Sequence, residues 1–184
     1  MKSSIKFKVF VVIGLLYIGI SSFIYNGTGI KKGDTTKAEL EWLSFEKAVE
    51  MQQKNPKKIV LDIYTDWCGW CKKMDKNTYT DQEVIKILNE KYYFVKLNAE
   101  QKEDIIYKDK TFKFKQEYKA HELAVSLLNG KMSYPSTVFL DENMSILTVV
   151  PGYLTPKDLN PILKYFGEDI YKTKNWEEYT GEKK

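Results

Sequence analysis

The apolar positions of this 184-residue chain fall into two kinds of run, some at helical spacing and some nearly continuous. After Ser44, a candidate N-cap, Phe45, Ala48 and Val49 share one helical face, which predicts a helix over about 44–53. Asn55-Pro56 ends it, because the residue before a proline is pushed out of helical backbone. Lys58 to Tyr64 is a β-branched apolar run of the kind found in buried strands, interrupted by Asp62. Thr80-Asp81-Gln82-Glu83 reads as a capping box, followed by Val84, Ile85 and Leu88 on one helical face to about Glu90. Tyr92 to Asn98 reads as a second buried strand. Segments 105–107 and 111–115 flank Lys108-Asp109-Lys110, with Phe112 and Phe114 alternating with lysines, and predict a small hairpin. Leu123, Leu127 and Leu128 predict a helix over 119–129, stopped at Gly130. Segments 136–140 and 145–150 surround the turn Asp141-Glu142-Asn143 and predict a second hairpin. Thr155-Pro156 opens a last helix carrying Leu159, Ile162, Leu163 and Phe166. Pro161 argues instead for a start at Asn160, with the proline at the first helical position. Gly167 ends this helix. The tail 168–184 is polar, but Tyr171, Trp176 and Tyr179 give it enough aromatic surface to pack back on the body.

The order is helix, strand, helix, helix, strand, insertion, strand, strand, helix. A helical connection between the first two strands implies that they are parallel neighbours, and the later hairpin adds antiparallel strands. The expected fold is therefore α/β, a mixed central sheet with helices on both faces.

Composition changes this picture at the N-terminus. All 29 basic residues are lysine, and the formal charge is +4. Lys2, Lys6 and Lys8 account for most of that excess, and the remaining lysines are interspersed with acids, so no nucleic-acid footprint is visible. Those lysines precede an apolar run from Val9 to Tyr25, about 17 residues. Basic then apolar at the extreme N-terminus is the pattern of an export signal, and the length also suits a retained anchor. Residues 1–30 are read as one or the other, 31–43 as a linker, 44–167 as the folded domain and 168–184 as a tail. The body is expected outside the cytoplasm, in the periplasm, either released or held at the inner membrane through residues 9–25.

Cys68 and Cys71 are the only cysteines. They follow the first strand and open a helix, in Trp67-Cys68-Gly69-Trp70-Cys71-Lys72-Lys73. An exported chain that keeps a single Cys-x-x-Cys pair points to redox chemistry, since a disulfide framework needs more cysteines. Two cysteines and the single histidine, His121, do not complete a four-ligand zinc site, and no metal or other cofactor is expected. At a helix N-terminus the Cys68 thiol is favoured as thiolate and is the candidate nucleophile. Cys71, one turn on, is placed to attack the Cys68 sulfur of a mixed disulfide. Asp62, six positions before Cys68 in a buried strand, should have a raised pKa and be able to take a proton from Cys71. Trp67, Trp70 and Tyr64 are candidates for an apolar docking rim, with Trp70 the most exposed. His121, near a helix start, is read as a cap or surface residue.

Four motifs in order extend this reading: 60–72 with the cysteine pair, Val95-Lys96-Leu97-Asn98, Tyr134-Pro135-Ser136-Thr137-Val138-Phe139, and Pro151-Gly152. Together they resemble the thioredoxin superfamily over roughly Ser44 to Gly167. More narrowly, they resemble the exported thioredoxin-related proteins of Bacteroidetes-type bacteria. The resemblance implies a thioredoxin-like fold with an insertion over about 99–132, a hairpin and helix ahead of the proline loop. It implies a cis peptide bond at Pro135, Tyr134 as a substrate ledge facing the disulfide, and Lys96 as a charge partner of Asp62. It also implies thiol–disulfide exchange on exported proteins, coupled to a membrane or periplasmic redox partner, with the reductase direction slightly favoured. Trp70 stands where thioredoxins have proline, at a position that tunes redox potential. The alternative is a non-catalytic thioredoxin-fold binding or chaperone-like module, motivated by the insertion and the aromatic tail.

Overall fold

The structure is a computed structural model, and it describes residues 37–181. The readings of residues 1–30 as signal or anchor lie outside those residues. Among the described residues no helix is long and apolar enough to cross a membrane.

Four strands form the central sheet: β1 (Lys58–Tyr64), β2 (Tyr92–Asn98), β7 (Ser136–Leu140) and β8 (Ile146–Pro151), in the order β2-β1-β7-β8. β1 and β2 are parallel, from Lys58 opposite Tyr92 to Tyr64 opposite Asn98. β7 runs antiparallel to β1, and β8 antiparallel to β7. The first two strands match the apolar runs to the residue. Strands buried on both faces need no alternation, so the run itself marks their length.

Side chains alternate across β1 and divide the interior into two cores. Ile59, Leu61 and Ile63 face one side, with α1 (Phe45–Lys54) and the insertion. Val60 faces the other, with Met74 of α2 (Gly69–Asn77), Val84 and Leu88 of α3 (Gln82–Lys91), and Leu159 and Leu163 of α5 (Pro156–Gly167). Asp62 shares the parity of Val60 and so faces α2, α3 and α5.

The insertion differs in detail from its sequence reading. Lys108 and Asp109 take φ of 49° and 60°, making a two-residue turn that pairs β3 (Ile105–Tyr107) with β4 (Lys110–Phe112). That geometry matches strand twist, which three-residue loops match less well. Phe114-Lys115 (β5) therefore leaves the hairpin and pairs with Ala120-His121 (β6). The following helix, α4, is only Glu122–Leu127, because β6 occupies its expected first turn. His121 caps it: Nδ1 accepts from Leu123 N–H at 3.3 Å, while Nε2 lies 3.1 Å from the Glu103 carbonyl. The imidazole is fully buried, and burial lowers its pKa.

Three other boundaries shift. Asp81, not Thr80, caps α3, its carboxylate accepting from the N–H groups of Glu83 and Val84 at 3.0 Å; the Thr80 hydroxyl donates back to the Lys76 carbonyl. A carboxylate that accepts two helix N–H groups outcompetes a single hydroxyl. β8 starts at Ile146, beside a register shift at Phe139/Leu140. α5 starts at Pro156 and keeps Pro161 inside it, so the start at Asn160 is overturned. The reciprocal Thr155–Asp158 capping box fixes the earlier start, offsetting the hydrogen bond the internal proline removes.

The segments flanking the domain pack on it. Leu43, within the stretch read as linker, bridges to Val95, and Trp42 packs on Tyr79 and Phe94. Beyond a 3₁₀ turn (Ile170–Lys172), α6 (Trp176–Thr180) sets Trp176 and Tyr179 against Tyr165 of α5.

Candidate active site

Strand directions bring four loops to one end of the sheet. β1 and β2 leave it there, β7 begins there and β8 ends there. Cys68 lies in the loop after β1, and Cys71 in the first turn of α2. Cys68 is the N-cap of α2, and its sulfur accepts from the Cys71 N–H at 3.0 Å. Cys68 and Cys71 are joined in a disulfide, with Cα atoms 5.3 Å apart. In reduced protein the same N–H and the helix dipole would favour thiolate at Cys68. Both sulfurs are largely covered, whereas the flanking tryptophans are not: Trp67 is 66% exposed and Trp70 57%. The expectation that Trp70 stands out most is thus reversed in degree.

Trp67 is held by its indole N–H, which donates to Glu100 Oε1 at 3.1 Å, and by an edge-to-face contact with Tyr134. Tyr134 precedes Pro135, and the bond between them is cis. Trp70 leans on Tyr153, the residue after Gly152. Tyr64 is half-buried and stacks under Lys96 rather than joining the rim.

Beneath α2, Asp62 is 1% exposed, and neither carboxyl oxygen has a hydrogen-bond partner. Burial raises its pKa to about 7; Lys96 and the neighbouring Tyr79 hydroxyl counteract this, and Asp75 adds to it. The hydroxyls of Tyr79 and Thr137 are also buried and unpartnered, and Thr137 stands opposite Asp62 in the sheet. Burial and the charge of Asp62 hold the Tyr79 hydroxyl well above its usual pKa, so it stays protonated. Cys71, Met74 and Asp75 recur at three- and four-residue spacing, which places Cys71 on the helix face turned toward this cluster.

Lys96 lies opposite Asp62 in register, but its ammonium is 3.9 Å from Asp62 Oδ2 and hydrogen-bonds to Asp75. It also sits 4.5 Å from the Trp42 ring and 4.8 Å from that of Tyr64. The cation expected to neutralise Asp62 is thus shared with a second acid and two rings, which leaves the carboxyl under-compensated. A cleft of about 680 Å³ between residues 37–42 and α2–α3 has Asp75, Tyr79 and Lys96 in its wall. Sequence reasoning missed Asp75, Tyr79, Thr137, Glu100 and Tyr153. Only Asp75 left a signal, four residues after Cys71 on the same helix face. The rest depend on strand register or loop packing.

Residues 45–167 match the thioredoxin-like domain family. The chain belongs to that family. Among curated relatives it is 30% identical over 91 residues to a thiol:disulfide interchange protein, DsbD, of Haemophilus ducreyi, covering 46% of this chain and 15% of that one. It is 36% identical over 91 residues to a protein disulfide-isomerase of Schizosaccharomyces pombe, covering 47% of this chain and 24% of that one. The chain thus spans a quarter or less of these relatives' length. Its fold is similar to that of the DsbH oxidoreductase, with a TM-score of 0.54, 19% identity and coverage of 77% of this chain and 94% of that one. It is also similar to a putative disulphide-isomerase from Bacteroides thetaiotaomicron, with a TM-score of 0.50, 20% identity and coverage of 74% and 94%.

Proposed function

We propose that the protein is a thiol–disulfide oxidoreductase acting on exported proteins, working as a reductant that a periplasmic or membrane dithiol partner recharges. The observation that carries the proposal is the Cys68–Cys71 pair at the start of α2, above a buried and unpartnered Asp62. The names of its relatives, thiol:disulfide interchange protein and disulfide-isomerase, agree with it. The apolar segment 9–25 supports export or a membrane tether.

In this mechanism the Cys68 thiolate attacks one sulfur of a substrate disulfide. The substrate S–S bond breaks, a Cys68–substrate disulfide forms, and the first substrate sulfur leaves as thiolate and takes a proton from solvent. Cys71 then gives its proton to the Asp62 carboxylate and attacks Cys68 Sγ. The mixed disulfide breaks, the second substrate sulfur leaves as thiolate and takes a proton from solvent, and the Cys68–Cys71 disulfide forms. Two electrons have passed from protein to substrate. Reduction by the partner dithiol runs the same steps backward, with Asp62 returning the proton to Cys71. Lys96 positions the Asp62 charge. Trp67, Trp70 and Tyr134 offer the surface on which the substrate chain lies, beside Pro135.

Replacing Cys71 with Ser blocks the second step, so disulfide-linked adducts through Cys68 should accumulate on non-reducing gels. Absence of adducts, together with no dithiol-dependent disulfide reduction by the unmodified protein, would contradict the proposal. A binding module would require neither the cysteine pair nor Asp62.

A further inference from the structure

We infer that the rim around the disulfide is a bipolar docking surface. Its occupant is a polypeptide segment carrying a cationic side chain on one side of its cysteine and an anionic one on the other. The inference rests on the oxidoreductase reading and adds a substrate class to it.

Sheet order separates the two charges. At the active-site end, the loops follow one another across the sheet as the exit of β2, the exit of β1, the start of β7 and the exit of β8. The middle two carry Cys68–Cys71 and Tyr134-Pro135. The two flanks of this rim meet charges of opposite sign, Glu100 from the exit of β2 and Lys73 from α2, which leans over Tyr153 at the exit of β8. On the β2 side, Glu100 accepts the Trp67 indole N–H, and its charge is felt at the Tyr134 hydroxyl. Exposed Asp66 adds a second acid there, held by Asn98 at 3.1 Å. On the β8 side, the Lys73 ammonium lies 4.5 Å from the Trp70 ring and 5.2 Å from that of Tyr153.

Each of the two rim tryptophans, Trp67 and Trp70, is therefore anchored to a charged group, and the two groups have opposite sign. Among the described residues, neither Glu100 nor Lys73 forms an ion pair, whereas Glu83, Glu142, Asp169, Lys58 and Lys164 do. Both charges remain available to a partner. The tryptophans supply apolar contact on either side of the disulfide, and the charges select which end of the substrate goes where. Such rim charges act mainly on association rate and orientation.

The test uses two peptides of one composition, Lys-Ser-Cys-Ser-Glu and Glu-Ser-Cys-Ser-Lys, each as its symmetric disulfide. Single-turnover reduction by the reduced 184-residue chain is followed by chromatography of the released peptide thiol. At low ionic strength one charge order should react about fivefold faster than the other, with the ratio approaching one at about 0.5 M salt. The double substitution Glu100→Lys/Lys73→Glu should invert that ratio. Equal rates for the two orders, or a ratio that the double substitution leaves unchanged, would overturn the bipolar surface while leaving the oxidoreductase reading in place. Reduction of neither peptide would overturn both.

Discussion

Lys58 and Asp62 are two buried charges on one strand, facing the same side of the sheet, and the fold treats them in opposite ways. Lys58, 4% exposed, reaches Glu142 at 2.7 Å and Asp169 at 2.8 Å. Burial pulls its pKa down, but the hydrogen bonds it donates to Asp169 and Glu142 outweigh that and hold it above its usual value. The pair joins the β7–β8 turn and the C-terminal tail to the sheet. Asp62, near the other end of the strand, has no hydrogen bond and only a shared cation. A paired buried charge is a structural clasp. A buried carboxylate without a hydrogen bond opposes folding, and the proposed mechanism gives that cost a chemical use beneath the cysteine pair.

The first way to break the comparison is at the clasp. Lys58→Met removes the cation and leaves two acids at the sheet end. Both acids are partly exposed and can hydrate, so the loss should be near the lower bound for a broken buried pair, about 3 kcal/mol in urea unfolding. Disulfide exchange should be unaffected. A substitution that slowed exchange without destabilising the protein would put function at the wrong end of the strand.

Next in size is Asp62→Asn. A carboxyl with its pKa raised in the native state favours the protonated form, so the unfolded chain ionises first. Stability is full below the ordinary carboxylate range, falls as pH rises from about 4 to about 7, and is then level. Ionised Asp62 thus costs on the order of 4 kcal/mol, part of which an equally unpartnered amide would retain. Asp62→Asn should therefore stabilise by about 2 kcal/mol at pH 8 and by nothing measurable at pH 4. Thermal unfolding at the two pH values reads this directly. An equal effect at both would mean that the gain comes from packing.

Smallest is Tyr79→Phe. It removes a buried hydroxyl beside Asp62 and should change stability by no more than about 1 kcal/mol, while raising the Asp62 pKa further because Tyr79 opposes the shift. The activity profile should move to higher pH accordingly. A profile that does not move would separate Tyr79 from the Asp62 cluster.

Much of this was legible in the sequence for physical reasons. β1 and β2 are buried on both faces, so their apolar runs mark their ends, and a lone Asp inside such a run signals an unusual carboxyl. The cysteine spacing after a strand marked the start of α2. What stayed hidden lacked a local code. The turn at Lys108-Asp109 and the bend at Lys119 take positive φ without glycine or asparagine, so hairpin and helix limits in the insertion shifted. Thr137 joins Asp62 only through antiparallel register, and Glu100 reaches Trp67 only through the exit of β2. The division of Lys96 between Asp62 and Asp75 requires α2 to be docked on the sheet.

The account depends most on Asp62 serving the cysteines. The direct measurement is the rate at which Cys71 resolves a preformed Cys68 mixed disulfide, as a function of pH, in the unmodified protein and in Asp62→Asn. Because ionised Asp62 takes the proton, the rate should rise through about pH 7 and level above it. Asp62→Asn should lose that inflection and run about 100-fold slower at pH 8. Superimposable profiles for the two proteins would contradict the account.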